Sequence, residues 1–292
     1  MRPTGGSFLT LTLFALVVCG FGTAFALNSL AVSALPALWV ATIRATIACS
    51  LFLLLVLVTK RPIPLRGSDI RTYFTIGMTT GVVPFFLLVW GQARVPSSLA
   101  AVLFASVPLT TVFLGWYFFA GAAPTKRKVF GASLGFAGVF LAFPFSAAAS
   151  NSLVFGASAI LAAAISYAFG GLFLKRADTY DPIVLMAGQF MASAVILVVT
   201  AIVLAGPLPH LKANTPYSSA LLVGVTGTAL PLASFLFLLR RTDEVAASTV
   251  TFFVPFIAIA VGVPALQEDI SPRLFVGLAV CLTGSSLVSR AR

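Results

Sequence analysis

Residues 36–58 read PALWVATIRATIACSLFLLLVLV, and residues 182–204 read PIVLMAGQFMASAVILVVTAIVL. Each starts on a proline and runs for 23 residues, and a helix needs about 20 to cross ~30 Å of hydrocarbon. The first carries one charge, Arg44; the second carries none. The two prolines stand 146 residues apart, half of the 292-residue chain. Two questions follow: how many such segments exist, and whether they come in two sets.

Ten segments are long and apolar enough to span, or nearly so: 8–27, 36–58, 73–92, 98–120, 129–145, 153–174, 182–204, 217–239, 245–266 and 272–288. The fifth and tenth are short and rich in small residues. The whole composition agrees. Sixty per cent of residues are apolar and 9% charged, with a mean hydropathy of +1.09, whereas a soluble domain runs near a quarter charged. Disordered, coiled-coil and nucleic-acid-binding readings are excluded, because the net charge of +11 comes from short clusters between apolar runs. The expected fold is an all-α polytopic membrane protein whose surroundings are the lipid bilayer. Cys19, Cys49 and Cys281 lie inside apolar segments and read as small buried hydrophobes. Arg2, the apolar stretch from Phe8 and Ala24-Phe25-Ala26 resemble a secretory signal, but the stretch to Leu27 is long enough to span and counts as the first helix.

The basic residues set the orientation. Arg2, Lys60, Arg61, Arg66, Arg71, Lys126, Arg127, Lys128, Lys175, Arg176, Arg240, Arg241, Arg290 and Arg292 fall on one side, fourteen in all. Arg94, Lys212 and Arg273 fall on the other. Both termini are therefore expected in the cytoplasm, and an even helix count agrees. The expected location is the bacterial inner (plasma) membrane.

The 146-residue offset recurs. Pro36 matches Pro182, Pro84 matches Pro231, Pro108 matches Pro255, Gly131 matches Gly277 and Gly138 matches Gly284, all at 146 or 147. The chain divides into residues 1–146 and 147–292 with five helices each. An odd number per half makes the second half insert upside down, and inverted halves with a site between them are the build of many secondary transporters. A duplication kept for packing alone is the competing reading.

Each half resembles the EamA-type repeat of the drug/metabolite transporter superfamily. The resemblance rests on Pro36-x7-Arg44, on Ser98-Leu99-Ala100-Ala101 through Pro108, and on Gly131 and Gly138. In the second half it rests on Val245-Ala246-Ala247-Ser248 through Pro255, then Glu268, Gly277 and Gly284. Gly121 stands where the first repeat should carry its Glu, and Phe190 stands opposite Arg44. Within the superfamily the chain is most similar to the bacterial aromatic amino-acid exporters of the YddG type.

Enzymes are excluded by what accompanies each motif. Gly131-Ala132-Ser133-Leu134-Gly135 fits G-x-S-x-G, but its serine needs a base within reach, and the only histidine, His210, falls in a distant loop. The same glycines form a close-packing G-x-x-x-G face. The acids Asp69, Asp178, Asp181, Asp243, Glu244, Glu268 and Asp269 all fall in loops or at helix ends, which counts against cationic cargo. Neither a metal cluster nor a phosphate loop occurs, and no cofactor is expected.

Arg44 is the one clear charge at membrane depth, ~12 Å in from its helix end. An arginine there costs at least ~2.5–3.5 kcal/mol. It either clamps a substrate carboxylate or packs helices through backbone carbonyls. Gln189, nearly repeat-related, is its candidate polar counterpart. Met78, Thr79, Thr80, Phe104, Ser106, Ser166, Tyr167, Thr228, Phe252 and Phe253 lie near mid-depth and are candidates for holding an aromatic body and an amino acid's polar groups; for each, plain packing is the alternative. Trp39, Trp90, Trp116 and Tyr117 read as interface anchors, with Trp90 also a candidate gate. Pro84, Pro108, Pro231 and Pro255 are candidate hinges.

The expected function is export of aromatic or other bulky neutral amino acids and related metabolites by alternating access, without an obligatory proton. The carrier would be a monomer or homodimer. The rival readings are an anion or sugar-conjugate exchanger of the same architecture and a non-transporting intramembrane protein. Doubly charged cargo would need several cations where this chain offers one.

Overall fold

Helix starts follow the local chemistry of the sequence. Pro36, Pro96 and Thr125 hold extended backbone just ahead of helices, and Asp181 and Ser150 cap with their side-chain oxygens on the second or third amide beyond. A computed structural model describes residues 7–118, 123–144, 150–209, 217–239, 241, 250–269 and 271–290. Arg2, Gly121, His210, Lys212, Arg240, Asp243, Glu244, residues 245–249 and Arg292 therefore lie outside the described residues.

Among these residues the chain forms ten helical rods: α1 (Ser7–Val32), α2 (Ala37–Val58), α3 (Gly67–Gln92), α4 (Ser97–Phe118), α5 (Lys126–Ala142), α6 (Asn151–Arg176), α7 (Pro182–Ala205), α8 (Tyr217–Leu238), α9 (Val250–Leu266) and α10 (Pro272–Arg290). Seven are long and apolar enough to cross a membrane; α9 and α10 hold the shorter apolar helices Phe252–Leu266 and Pro272–Val288. The fold is all-α. Leu57, Val58, Val203 and Leu204 stay exposed, as side chains facing acyl chains do.

Packing repeats with the halves exchanged. α2 lies along α7 and α5 along α10, so these two pairs join equivalent helices. α1 packs on α8 and α9, and its counterpart α6 packs on α3 and α4. Each half thus lends its first helix to the other. Gly138 and Gly277 sit where α5 crosses α10: a Cβ on either would lie 2.6 Å from the other's carbonyl oxygen. At the basic end, Arg61 pairs with Asp181, and the Tyr180 hydroxyl donates to Asp69 Oδ1 at 2.6 Å. These contacts tie the turn after α2 and the start of α3 to the turn after α6.

Among the expectations that change, Cys19 is exposed rather than buried, unlike Cys49 and Cys281. The first helix runs to Val32 rather than Leu27, which carries Asn28 into the protein interior. Its amide has protein partners there, so an asparagine need not end the helix. Trp39 is buried rather than set at a lipid interface, and its indole N–H donates to the Gly206 carbonyl at 3.2 Å.

Gly138→Val should therefore force α5 and α10 apart. Overpacking of this kind costs about 1–3 kcal/mol, so the thermal unfolding midpoint in detergent should fall clearly. Gly171→Ala, where a Cβ meets nothing within 4 Å, should leave it within the helix-propensity effect.

Candidate functional site

A proline inside a helix gives no N–H to the carbonyl four residues back, and its ring crowds that carbonyl. In α3 and α8 the chain answers by widening to a π turn, at Met78–Val82 before Pro84 and at Val225–Ala229 before Pro231. The two π turns lie 147 residues apart, residue for residue. In α4 the helix breaks outright: Ser97–Phe104 ends, Ala105 and Ser106 turn, and Val107–Phe118 resumes with Pro108 in its first turn. In α9 Pro255 lies inside a continuous helix.

These irregular points surround a cavity of about 180 Å³. Its walls come from α1, α2, α3 and α4 of the first half and α6, α8 and α9 of the second. Several lining residues are repeat partners: Phe21 with Tyr167, Phe85 with Leu232, Val107 with Val254, and Pro108 with Pro255. The cavity therefore sits where the halves meet.

Arg44 enters it from α2, 5% exposed. Its Nε donates to Thr228 Oγ1 at 3.1 Å, and Nη1 donates to Asn28 Oδ1 at 3.2 Å. Asn28 Nδ2 donates on to Gln92 Oε1 at 2.9 Å, and Gln92 Nε2 to the Phe25 carbonyl at 2.8 Å. The guanidinium carbon lies 4.3 Å from the centre of the Phe85 ring, a cation–π distance. A guanidinium has five N–H donors; two are engaged among the described residues, so three remain for a ligand. Phe104 meets Phe25 and Tyr167 edge-on, with ring centres 6.1 and 5.6 Å apart. The cavity thus joins one held cation to an aromatic wall, and no carboxylate lines it among the described residues.

Of the predicted residues, the cavity brings together Arg44, Phe104, Tyr167 and Thr228 with Pro84, Pro108 and Pro255. Pro231 is buried and faces Gly20 of α1. The other candidates lie off the cavity. Gln189 Oε1 accepts from Thr80 Oγ1 at 2.7 Å, joining α7 to α3. The Ser166 hydroxyl donates to the Thr79 carbonyl at 3.0 Å, joining α6 to the π turn that contains Met78. Trp90 lies under the Arg94 guanidinium, 3.6 Å from its ring centre. Phe253 is 50% exposed and packs edge-on against Phe14. A second cavity, about 530 Å³ between α4, α5 and α6, is almost wholly apolar and takes Ser106 among its lining residues.

Phe21, Phe25, Asn28 and Phe85 complete the site beyond the residues singled out as contacts. The 146-residue offset from Tyr167 points to Phe21, and a polar residue in an apolar run points to Asn28.

The sequence profile of the EamA-like transporter family matches twice, over residues 8–143 and 154–290. The "Uncharacterized inner membrane transporter YedA" of Escherichia coli (strain K12) is 25% identical over 95% of this chain and 89% of its own length. The "Uncharacterized transporter YvbV" of Bacillus subtilis (strain 168) is 27% identical over 96% and 91%. An "Uncharacterized transporter" of Archaeoglobus fulgidus is 24% identical over 95% and 98%. One crystal structure matches the fold at a TM-score of 0.66 and 17% identity, covering 96% of this chain and 95% of that one.

Asn28→Ala should destabilise the fold by about 1.5–3 kcal/mol, because it takes a partner from a buried charge. Gln92→Ala, which leaves both Arg44 bonds in place, should cost less. Thermal unfolding of the two variants side by side in detergent checks the order.

Proposed function

The chain belongs to the EamA-like transporter family, and on that premise we propose that it exports aromatic or other bulky neutral amino acids and related metabolites. The observation that carries this reading is the pairing of a single buried guanidinium with an aromatic wall in one cavity between the halves. Arg44 takes the cargo carboxylate with its remaining N–H donors, since guanidinium and carboxylate pair in a bidentate fork. Phe104 and Tyr167, with Phe21, Phe25 and Phe85, hold the apolar or aromatic body. Cargo carrying two phosphate charges fits less well, because Arg44 is the only cation among the lining residues.

Movement is alternating access, with the halves rocking about bends at Pro84, Pro108, Pro231 and Pro255. The membrane is the bacterial inner membrane, and both termini lie on the basic, cytoplasmic side. Transport is facilitated diffusion. A proton-coupled carrier needs a group that titrates between states of its cycle, typically a tuned carboxylate or a histidine, and the lining residues include neither. Outward flux then follows from high internal concentration.

In liposomes containing this protein alone, radiolabelled tryptophan should equilibrate across the membrane. Arg44→Gln should lower kcat/KM for tryptophan roughly 10–100-fold and change tryptamine flux far less; equal losses would make Arg44 a packing residue. Initial tryptophan flux should be the same with and without an imposed pH gradient at fixed substrate concentrations. Concentrative uptake that a protonophore abolishes would show a proton-coupled carrier instead.

A further inference from the structure

The break in α4 leaves backbone acceptors in the cavity wall. In a regular helix the carbonyl of Ala105 receives the N–H of Leu109. Here the N–H groups of Leu109 and Thr110 both go to the Ser106 carbonyl, each at 3.0 Å. Pro108 has no N–H to offer Phe104 or Ala105. The Ala105 carbonyl therefore has no hydrogen-bond donor among the described residues, and the Phe104 carbonyl has lost the donor four residues on. Both residues line the cavity that Arg44 enters. They also end the helical segment Ser97–Phe104, where the helix dipole is negative.

A bare carbonyl in an apolar wall is costly unless a donor meets it. Of the side-chain acceptors nearby, Asn28 Oδ1 and Thr228 Oγ1 each already accept from Arg44. What remains is a cavity with a positive pole on α2 and a negative, main-chain pole on α4. We propose that the carbonyls of Phe104 and Ala105 bind the ammonium group of a zwitterionic cargo whose carboxylate rests on Arg44. This inference depends on the amino-acid reading above and adds what selects an amino acid over the corresponding plain acid. The Phe104 and Tyr167 rings stand beside the break and favour a cation in the same place.

The test compares tryptophan with indole-3-propionate, which keeps the carboxylate and lacks the ammonium, in liposomes containing the full chain. Wild-type protein should show the lower KM for tryptophan. Pro108→Ala and Pro108→Gly each return an N–H to the break, and glycine also keeps the bend easy. Both variants should raise the tryptophan KM about tenfold relative to the indole-3-propionate KM, the worth of a hydrogen bond to a charged group. A purely mechanical role for Pro108 would instead lower kcat for both compounds and leave the KM ratio unchanged, which overturns the inference. A wild-type preference for indole-3-propionate overturns it without any variant. Replacing sodium by N-methylglucamine should leave the tryptophan KM unchanged; a KM that depends on sodium would put a metal ion on these carbonyls in place of the ammonium. Wild-type protein that carries neither indole defeats the amino-acid reading as well, whereas transport of both with an unchanged ratio defeats this inference alone.

Discussion

Hydrocarbon offers a peptide group nothing to bond with, so every backbone N–H and C=O at membrane depth must find its partner within the protein. That constraint makes this chain helical, and it also makes four prolines consequential. Pro84, Pro108, Pro231 and Pro255 each withdraw one donor. The chain compensates locally where it can. The π turns shift the bonding register ahead of Pro84 and Pro231, and the Thr228 hydroxyl reaches the Val223 carbonyl at 2.9 Å inside the second of them. Thr79 and Thr226, equivalent to each other, donate instead to the carbonyl four residues back, each at 2.8 Å. The irregular backbone that remains borders the cavity, where polar groups are tolerated.

On this nearly symmetric frame the charge is placed asymmetrically. Phe21 and Tyr167, or Val107 and Val254, keep the cavity alike on its two sides. The α7 position opposite Arg44 carries Phe190, which stacks on Phe52 with ring centres 5.8 Å apart and takes no part in the cavity. On the proposed function, one guanidinium on one side would give bound cargo a single polarity. The bond from Arg44 to Thr228 also joins α2 of the first half to α8 of the second. On the proposed reading, a carboxylate that draws the guanidinium toward itself acts on a contact between the two halves, which links binding to their relative motion.

The sequence made the frame readable because helices in lipid must be long and apolar, and because the prolines and glycines of the two halves keep register. Arg44 was readable for the same reason: a charge in an apolar run has to be explained. Which face a residue presents was harder to read. Gln189 and Ser166 are polar and at the right depth, yet they bond to neighbouring helices, and Phe253 at a similar depth is half-exposed on the outside of the bundle. Depth follows from counting residues, but azimuth depends on which helices meet, and the exchange of α1 and α6 between the halves is invisible in either half alone. Asn28 escaped because the apolar run was ended at Leu27, although its amide is offset by Arg44 and Gln92.

Glu268 shows how the frame fixes the start of α4. The carboxylate comes from the turn after α9, and its two oxygens accept the amide N–H groups of Ser97 and Ser98 at 2.5 and 3.1 Å. It satisfies two of the donors that begin α4 and places a negative charge at the positive end of that segment. Residues 97–103 are buried throughout, whereas Trp116, Tyr117 and Phe118 at the other end of α4 are exposed. Between the buried part and the exposed end lie Ala105, Ser106 and Pro108, where the regular ladder is already interrupted. A bend at that point breaks no bond between the Ala105 carbonyl and the Leu109 amide, since that bond is not made. On the proposed reading, the same interruption that frees an acceptor for cargo also lowers the cost of bending the helix that carries it.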